Sequence, residues 1–205
     1  MTQAFFITGT DTNAGKTYVA CKLIQQYVEQ GYKVVGMKPV AAGCDLVDGE
    51  WVNEDVLKLE AASNVKAARK LINPYSFNEP IAPHIAAEMA GVNIELSVIK
   101  HAFNQLTQMA DIVIVEGAGG LLVPLNAHQT IADLIAFLDI PIILVVGVKL
   151  GCINHALLTA EAIRHRQLSL HSWVANSIDS NMQAHQENLK QLQTTFAHIQ
   201  QLQLR

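Results

Sequence analysis

The sequence lacks the features that mark membrane-spanning, nucleic-acid-binding and disulfide-stabilised proteins. Its longest apolar run, "IPIILVVGV" at 140–148, has the length of a strand and falls short of the roughly 18 apolar residues of a spanning helix. No block of Lys and Arg occurs and the formal net charge is -4, so neither nucleic acid nor an anionic membrane is indicated as a partner. Three widely spaced cysteines form no zinc motif and no disulfide framework. Because the N-terminus carries no secretory signal, we expect a cytoplasmic protein.

What the chain does have is enough apolar material for a folded core. Half of its 205 residues are hydrophobic and 16% are charged, which argues against disorder. A chain of this length fits one domain, and no linker or low-complexity block divides it. We therefore predict a single P-loop-type α/β domain over residues 1–205, for the reasons that follow.

Apolar runs alternate with amphipathic segments along the chain. The runs predict strands at 4–8, 32–40, 111–120, 141–148 and 170–178. The amphipathic segments predict helices at 15–31, 54–63, 82–90, 94–109, 131–138, 152–166 and 181–201. The strand runs do not alternate with polar residues, so both faces of their sheet should be covered. We predict a doubly wound, mostly parallel α/β sheet, in which ligands bind at the carboxyl ends of the strands.

The segment "ITGTDTNAGKT" (7–17) joins the first strand to the first helix and is typical of a phosphate-binding loop. A glycine-rich turn brings backbone N–H groups close to a polyphosphate, and the helix start adds a partial positive charge. Lys16 would reach the β- and γ-phosphates, and Thr17 would offer its hydroxyl to Mg²⁺. Gly9 lies one residue earlier than the first glycine of the usual loop, so an ordinary strand–helix turn is the alternative.

Two charged residues follow other strands at the same predicted edge of the sheet. Lys38 comes just past the second strand, where it would neutralise a developing phosphoryl charge; a solvated surface lysine is the alternative. Glu116 ends the buried run in "IVIVEGAGG" (112–120) and would hold Mg²⁺. The glycines after it would let the backbone pass close to a ligand. A structural turn would explain those glycines but not the acid beside them.

Three further places allow two interpretations each. Asp55 either caps or begins a helix, which is common for Asp, or is a second metal carboxylate. Residues 151–154 start a helix whose N–H groups bind a carboxylate or phosphate, or they form an ordinary helix end. Asn176 carries an amide that can recognise a purine edge. With Asp179 it has the N-x-x-D spacing of guanine-binding GTPases, but Ser177 replaces the lysine that usually follows the Asn.

With these residues assembled, the chain resembles the dethiobiotin synthetase family of biotin biosynthesis over nearly its whole length. The matching segments are "FFITGTDTNAGKT", "KPVAAG", "NPYSFNEPIAPH", "VEGAGG", "LVVGVKLGCINHALLT" and "WVAN". That family's phosphate loop also has the early glycine, so the unusual spacing supports the match. The resemblance implies a P-loop NTPase-like, Rossmann-like subunit that forms a homodimer, with the substrate site at the subunit interface.

The resemblance also implies an ATP-dependent reaction of 7,8-diaminopelargonate with CO₂. In that family the N7 amine forms a carbamate with CO₂, and the carbamate attacks the γ-phosphorus of MgATP to give a carbamic-phosphoric anhydride. The second amine then attacks the same carbon, closes the ureido ring of dethiobiotin and expels phosphate. The chemistry depends on positioning and charge neutralisation, and it needs no side-chain nucleophile.

The family's site residues fall on matching positions of this sequence. The phosphates would be wrapped by Asn13, Ala14, Gly15, Lys16 and Thr17. The catalytic residues would be Lys16, Lys38 and Thr12, with Thr12 and Lys38 also contacting the substrate. Mg²⁺ would be held by Thr17, Asp55 and Glu116. The phosphate and substrate region would be lined by Glu116, Gly117, Ala118 and Gly119, and adenine would be recognised by Asn176. The substrate's distal carboxylate would be bound from the partner subunit by Gly151, Cys152, Ile153 and Asn154.

The chain departs from the family pattern at several positions. Ala42 stands where many members have Ser, Asn13 where some have Glu, and Ser177 where some have Asp. The chain ends at "QQLQLR", whereas family members often continue with a Gly-x-Ile-Pro-like stretch that lines the nucleotide base. We therefore leave the preference for ATP over GTP or CTP open.

A partitioning or targeting ATPase of the same phosphate-loop class is the alternative function. Such proteins have an additional lysine five residues before the main one, where this sequence has Asp11. They also need a membrane or DNA surface, and the sequence has no obvious basic face or amphipathic terminal helix for either. A non-catalytic nucleotide binder is a third interpretation, which the retained Lys16, Thr17, Lys38 and Glu116 disfavour.

Overall fold

The structure is a computed structural model that describes residues 2–179 and 181–204. Within these residues the strands are β1 (Gln3–Gly9), β2 (Val34–Met37), β3 (Val40–Ala42), β4 (Asp45–Val47), β5 (Glu50–Val52), β6 (Tyr75–Phe77), β7 (Ile112–Gly120), β8 (Ile142–Val148), β9 (Leu170–Ser177) and β10 (Gln200–Gln201). The helices are α1 (Lys16–Glu29), α2 (Glu54–Ala62), α3 (Arg69–Ile72), α4 (Pro83–Met89), α5 (Leu96–Met109), α6 (Ile131–Leu138), α7 (Cys152–His165) and α8 (His185–Thr195).

The main sheet of the described chain has six strands in the order β10-β9-β8-β1-β7-β2. Every pairing in it is parallel. The sequence therefore predicted the fold class correctly. Its register sets Ile7 beside Glu116 and Met37 beside Val115. The loop after β1, Lys38 after β2 and Glu116 in β7 consequently meet at one edge of the sheet.

Both faces of this sheet are covered, as the apolar strand runs indicate. Successive residues of β1 enter different apolar clusters: Phe6 packs with Val115 on one face, and Ile7 packs with Ile114 on the other. Helices α1 and α2 complete the second cluster, and α5, α6 and α7 contribute to the first. Because the central strands have no solvent-facing side, their polar chemistry is confined to the strand ends.

The predicted strand at 32–40 is wrong in its second half. Strand β2 ends at Met37, and the chain then leaves the main sheet to form β3, which pairs with β6. Pro39 has no N–H to continue a ladder, and the N–H of Lys38 instead donates to the carbonyl of Ile72 at 2.8 Å. The consequence is that Lys38 turns away from the sheet just where its strand ends.

The predicted final helix at 181–201 is also too long. Helix α8 covers only His185–Thr195, and the chain returns as β10 beside β9. Phe196 packs against Trp173, with ring centroids 5.0 Å apart, and the N–H of Leu202 donates to the carbonyl of Trp173. The Gln-rich segment carries no local signal for this turn, which depends on contacts with a strand. No helix of the described residues is both long and apolar enough to cross a membrane.

Candidate active site

A cleft of about 750 Å³ opens at the carboxyl edge of the sheet. That volume lies within the range of roughly 300–1,000 Å³ that small-molecule sites occupy. It is lined by Thr12, Asn13, Gly15, Lys16, Thr17, Lys38, Ala42, Asp55, Pro80, Ile81, Ala82, Pro83, Glu116, Ala118, Gly119 and Val123. The structure therefore brings the phosphate-loop residues, both lysines and both carboxylates proposed from the sequence into one cleft.

The loop between β1 and α1 has the backbone that a phosphate-binding turn requires. Asn13 and Gly15 adopt positive φ angles of 62° and 90°. A side chain at Gly15 would overlap the amide of Asn176, so this position needs glycine for space as well as for conformation. At Gly9 a Cβ would lie 3.2 Å from both Ala14 and Lys16. The early glycine is thus where the loop folds back over its own start.

Lys16 lies inside this loop. It is only 7% exposed, and its ammonium donates to the main-chain oxygen of Asp11 at 3.2 Å. Burial lowers the pKa of Lys16 from its ordinary value, although nearby Glu116 acts in the opposite direction. An anionic ligand in the cleft would raise the pKa of Lys16 again, because a nearby opposite charge favours the protonated amine.

Asp11 is held by Lys149, which follows the neighbouring strand β8. Its carboxylate accepts the ammonium of Lys149 at 2.6 Å and the N–H of Thr12 at 2.8 Å. The pKa of Asp11 lies below its usual range, first because of the Lys149 hydrogen bond. Both side chains are more than a third exposed, so the pair fixes geometry more than it adds stability.

Lys38 lies between two carboxylates. Its ammonium donates to Asp55 and, at 2.8 Å, to Glu116, and Lys38 is 6% and Glu116 1% exposed. Burial alone would lower the pKa of Lys38, but the two carboxylates outweigh it and hold the pKa above its ordinary value. Burial likewise acts to raise the pKa of Asp55, and Lys38 reverses that effect, leaving it lowered. Lys38 is therefore not a solvated surface residue.

The carboxylates and the hydroxyl predicted to hold Mg²⁺ are adjacent. The hydroxyl of Thr17 donates to Oε1 of Glu116 at 2.8 Å, and Asp55 lies across Lys38 from the same carboxylate. Oε2 of Glu116 is buried and has no hydrogen-bond partner within the described chain. A buried anionic oxygen is costly without a cation or donor, and Mg²⁺ prefers one or two carboxylates plus phosphates and water. The donor set therefore fits Mg²⁺.

The two interpretations of Asp55 are resolved in part by its neighbour. Asn53 is the N-cap of α2: its side chain accepts the N–H of Asp55 at 3.0 Å. Asp55 lies in the first helical turn with its carboxylate directed to Lys38 rather than to the helix backbone. The capping role belongs to Asn53, which leaves Asp55 available for chemistry in the cleft.

Three of the predicted nucleotide-binding residues do not line the cleft. Ala14 is buried and offers its carbonyl to the Nδ2 of Asn176 at 2.9 Å, so Asn176 supports the loop from below. A Cβ on Gly117 would lie 2.8 Å from the ring of Phe6, which places Gly117 in the core beneath the site. Roles for these residues toward a nucleotide stay predictions.

Residues 151–154 lie apart from the cleft, at the start of α7. Gly151 has a φ of 90°, Cys152 is buried, and the N–H of Cys152 already donates to the carbonyl of Lys149 at 3.0 Å. The helical ladder begins with His155 donating to Gly151, so the N–H groups of Ile153 and Asn154 precede it. Their binding of a carboxylate from a second subunit stays a prediction.

Sequence reasoning missed the residues that fix these groups in place. Asn73, 5% exposed, donates to the carbonyl of Lys38 at 2.7 Å, and Asn53 donates to the carbonyls of Ala42 and Gly43. The segment Pro80–Pro83 forms a wall of the cleft, although in the sequence it was only part of a matching motif. The one local signal was the Asn two residues before Asp55, which is a capping pattern.

Relatives of known function match most of the chain. A family model described as an AAA domain matches residues 3–203. The ATP-dependent dethiobiotin synthetase BioD of Nitrosospira multiformis is 53% identical over 193 residues, which cover 94% of this chain and 84% of that protein. The protein of the same name from Aromatoleum aromaticum is 50% identical and covers 93% of this chain and 84% of its own length.

Solved structures with the same fold are more distant in sequence. The septum site-determining protein MinD of Pyrococcus horikoshii, complexed with Mg-ADP, has a TM-score of 0.55 at 15% identity, covering 91% of this chain and 77% of that one. A ParA family ATPase of Chlorobium tepidum has a TM-score of 0.55 at 16% identity, covering 93% and 80%. At these identities the likeness concerns the fold alone, which is that of P-loop NTPases.

Proposed function

The chain belongs to the family of ATP-dependent dethiobiotin synthetases, ligases of biotin biosynthesis, and on that premise we propose a reaction sequence for its cleft. The substrates are 7,8-diaminopelargonate, CO₂ and ATP. The N7 amine of the diamine adds to CO₂ to form a carbamate and releases a proton. The observation that carries the proposal is the convergence of two buried lysines and two carboxylates on one cleft.

The first half of the proposal concerns ATP. Residues 13–17 wrap its phosphates, with the ammonium of Lys16 leaving the Asp11 carbonyl for a phosphate oxygen. Mg²⁺, held by Thr17, Asp55 and Glu116, would supply charge neutralisation on the phosphates. Asn176 recognises the adenine edge, supported by its position directly beneath Ala14.

The second half concerns the diamine. The carbamate oxygen attacks the γ-phosphorus, ADP leaves, and a carbamic-phosphoric anhydride forms. Lys38 has three N–H donors and uses two on carboxylates, so one remains for the carbamate and the transferring phosphoryl group. The N8 amine then attacks the carbamate carbon and releases a proton, the C–O bond to phosphate breaks so that inorganic phosphate leaves, and the ring closes. Thr12, beside Gly119 in the cleft wall, orients the diamine.

The remaining parts of the proposal concern the assembly. Residues 1–205 act as one domain, and the protein works in the cytoplasm as a homodimer. The N-terminus of α7 in the partner subunit binds the distal carboxylate of the diamine, supported by the placement of residues 151–154 outside the cleft of their own chain. Neither nucleic acid nor a membrane takes part.

A partitioning switch is the less favoured function. Its additional lysine would stand at position 11, where this chain has an aspartate paired with Lys149. The shared fold with MinD and ParA proteins does not distinguish the two functions.

Oxygen labelling tests the proposed sequence. With the diamine, MgATP and freshly dissolved ¹⁸O-labelled CO₂, one labelled oxygen should appear in the released phosphate and one in the ureido carbonyl, because the carbamate oxygen that attacks phosphorus leaves with it. Dethiobiotin formed together with unlabelled phosphate would contradict carbamate attack. Absence of dethiobiotin would contradict the proposed function itself.

A further inference from the structure

Residues 45–52 form a largely exposed excursion between two parts of the cleft wall. We call this segment the hairpin; it contains the antiparallel pair β4 and β5, and Asp45 pairs with Val52 at its base. Ala42 precedes it and lines the cleft, and Asp55 follows it and lines the same cleft. Two elements of the active site are thus separated in sequence by a segment that contributes nothing to the cleft.

One buried side chain joins the two ends of the hairpin. Asn53, 8% exposed, donates from Nδ2 to the carbonyls of Ala42 at 3.2 Å and Gly43 at 3.3 Å. Its Oδ1 accepts the N–H of Asp55 at 3.0 Å. Both ends of this amide are therefore engaged: the Nδ2 donor with the residues before the hairpin, and the Oδ1 acceptor with the helix after it.

Asn53 thus holds Ala42 and Gly43, which we call the Ala42 wall, and this wall also contacts a third segment. Gly43 donates its N–H to the carbonyl of Glu79 at 3.1 Å, and a Cβ on Gly43 would lie 3.1 Å from Pro80. Pro80 lines the cleft beside Ala42. A shift of Ala42 and Gly43 would consequently move the wall formed by Pro80 as well.

We propose that Asn53 is a positioning residue of the reaction, which joins the Ala42 wall to the first turn of α2 and so fixes that wall relative to Asp55 across the cleft. The proposal rests on the proposed function in one respect, that the Ala42 wall contacts the diamine. Donor and acceptor have separate duties: the Nδ2 donor holds the substrate wall, and the Oδ1 acceptor holds the helix that carries Asp55.

Two substitutions separate these duties. Asn53→Ser keeps an N-cap acceptor, since Ser caps helices about as well as Asn, but removes the reach to the two carbonyls. Asn53→Ala removes both. Asn64→Ser is the matched control: Asn64 also joins two backbone segments, accepting from Val34 and donating to Tyr32, at the opposite end of the sheet.

Three quantities are measured for each variant: the melting temperature, the Kd of the diamine by calorimetry without nucleotide or metal, and the Mg²⁺ concentration that half-saturates ATP binding. Asn53→Ser should weaken diamine binding on the order of tenfold, with KM raised and kcat nearly unchanged, because Ala42 and Gly43 lose two hydrogen bonds and must then be ordered when the diamine binds. Its Mg²⁺ requirement should stay within about twofold of wild type because the cap is kept. Asn53→Ala should weaken diamine binding equally and raise the Mg²⁺ requirement too.

Asn64→Ser should lower the melting temperature without changing either binding constant. The proposal is overturned if Asn53→Ser binds the diamine like wild type, or if Asn64→Ser loses as much affinity at an equal loss of melting temperature. If the wild-type protein neither binds nor turns over the diamine, the proposed function fails instead. The Mg²⁺ requirements of Asn53→Ala and Asn53→Ser then still decide the role of Asn53, and equal requirements would refute it.

Discussion

The phosphate loop (residues 9–16) and the segment from Lys38 to Asp55 form two sides of one cleft, and they are held in place by different means. The loop takes its shape from its own residues, with positive φ angles at Asn13 and Gly15 and a bond from the Lys16 ammonium back to Asp11. Two remote side chains, Lys149 and Asn176, hold it from outside. The second segment is interrupted by the exposed hairpin and is fixed by two asparagine side chains. Asn53, in the segment itself, donates to the carbonyls of Ala42 and Gly43, and Asn73, outside it, donates to the carbonyl of Lys38.

This difference separates a general part of the site from a specific one. A glycine-rich loop at a helix start binds polyphosphate in many proteins. The Lys38–Asp55 side brings an ammonium between two carboxylates in the same cleft as the loop. Substitutions on the first side should therefore act on nucleotide affinity, and substitutions on the second side should act on turnover or on the diamine.

The largest effect is expected for Lys38→Ala. Loss of a preorganised donor to the transferring phosphoryl group costs about 3–4 kcal/mol of barrier, or 10²–10³-fold in kcat. The KM for ATP should change little, because Lys16 and the loop are untouched. Steady-state kinetics with the diamine in excess measure both constants.

Lys58→Ala is the control for that substitution. Lys58 is on α2 near Asp55 but is half exposed and paired with Glu54 on the helix surface, so its loss should leave kcat unchanged. A kcat of Lys38→Ala within threefold of wild type, or a fall of the same size in Lys58→Ala, would contradict a role for Lys38 in phosphoryl transfer.

A smaller effect, confined to the nucleotide, is expected for Gly15→Ala. A Cβ there meets the amide of Asn176 and forces the loop to move, which should weaken ATP binding by about tenfold or more on top of a left-handed backbone strain of ~1–2 kcal/mol. Gly31→Ala has the same φ of 90° with nothing within 4 Å of its Cβ. It should lose similar stability and no ATP affinity. Equal losses of ATP affinity in the two variants would show that backbone strain alone weakens ATP binding, and not the displacement of the loop.

The smallest effect is expected for Lys149→Met, which frees the carboxylate of Asp11. Exposed ion pairs contribute only ~0.2–1 kcal/mol, so the KM for ATP should rise about two- to fivefold, with the melting temperature nearly unchanged. Arg166→Met removes the pair with Asp133, which is equally exposed, and should not change the KM. If the KM for ATP of Lys149→Met equals that of wild type and of Arg166→Met, Lys149 is excluded as a support of the loop.

How much of this the sequence could predict differs between the two sides of the cleft. The loop was predicted because its determinants are contiguous: glycines, Lys16 and Thr17 follow one strand and begin one helix. The side chains that hold the site in place were not predicted, because their partners are far away in the sequence. Lys149 and Asp11 are 138 residues apart, and Asn73 and Lys38 are 35 apart. No local pattern reports such contacts.

The fold follows the same rule. Strands buried on both faces, such as β1, β7 and β8, have apolar runs that predict them directly. Strands β3 and β10 are short and pair with distant segments, so the sequence merged the first with β2 and the second with α8. The turn at Pro39 mattered most for the site, because it carries Lys38 out of the sheet and toward Asp55 and Glu116.

The central claim is that one cleft couples ATP cleavage to the diamine. The most direct test is the rate of ADP release by the wild-type protein with MgATP and bicarbonate, measured with and without 7,8-diaminopelargonate. The account predicts ADP release that depends on the diamine and matches the dethiobiotin formed mole for mole. Equal ADP release with and without the diamine would contradict it and would favour a nucleotide-switched ATPase.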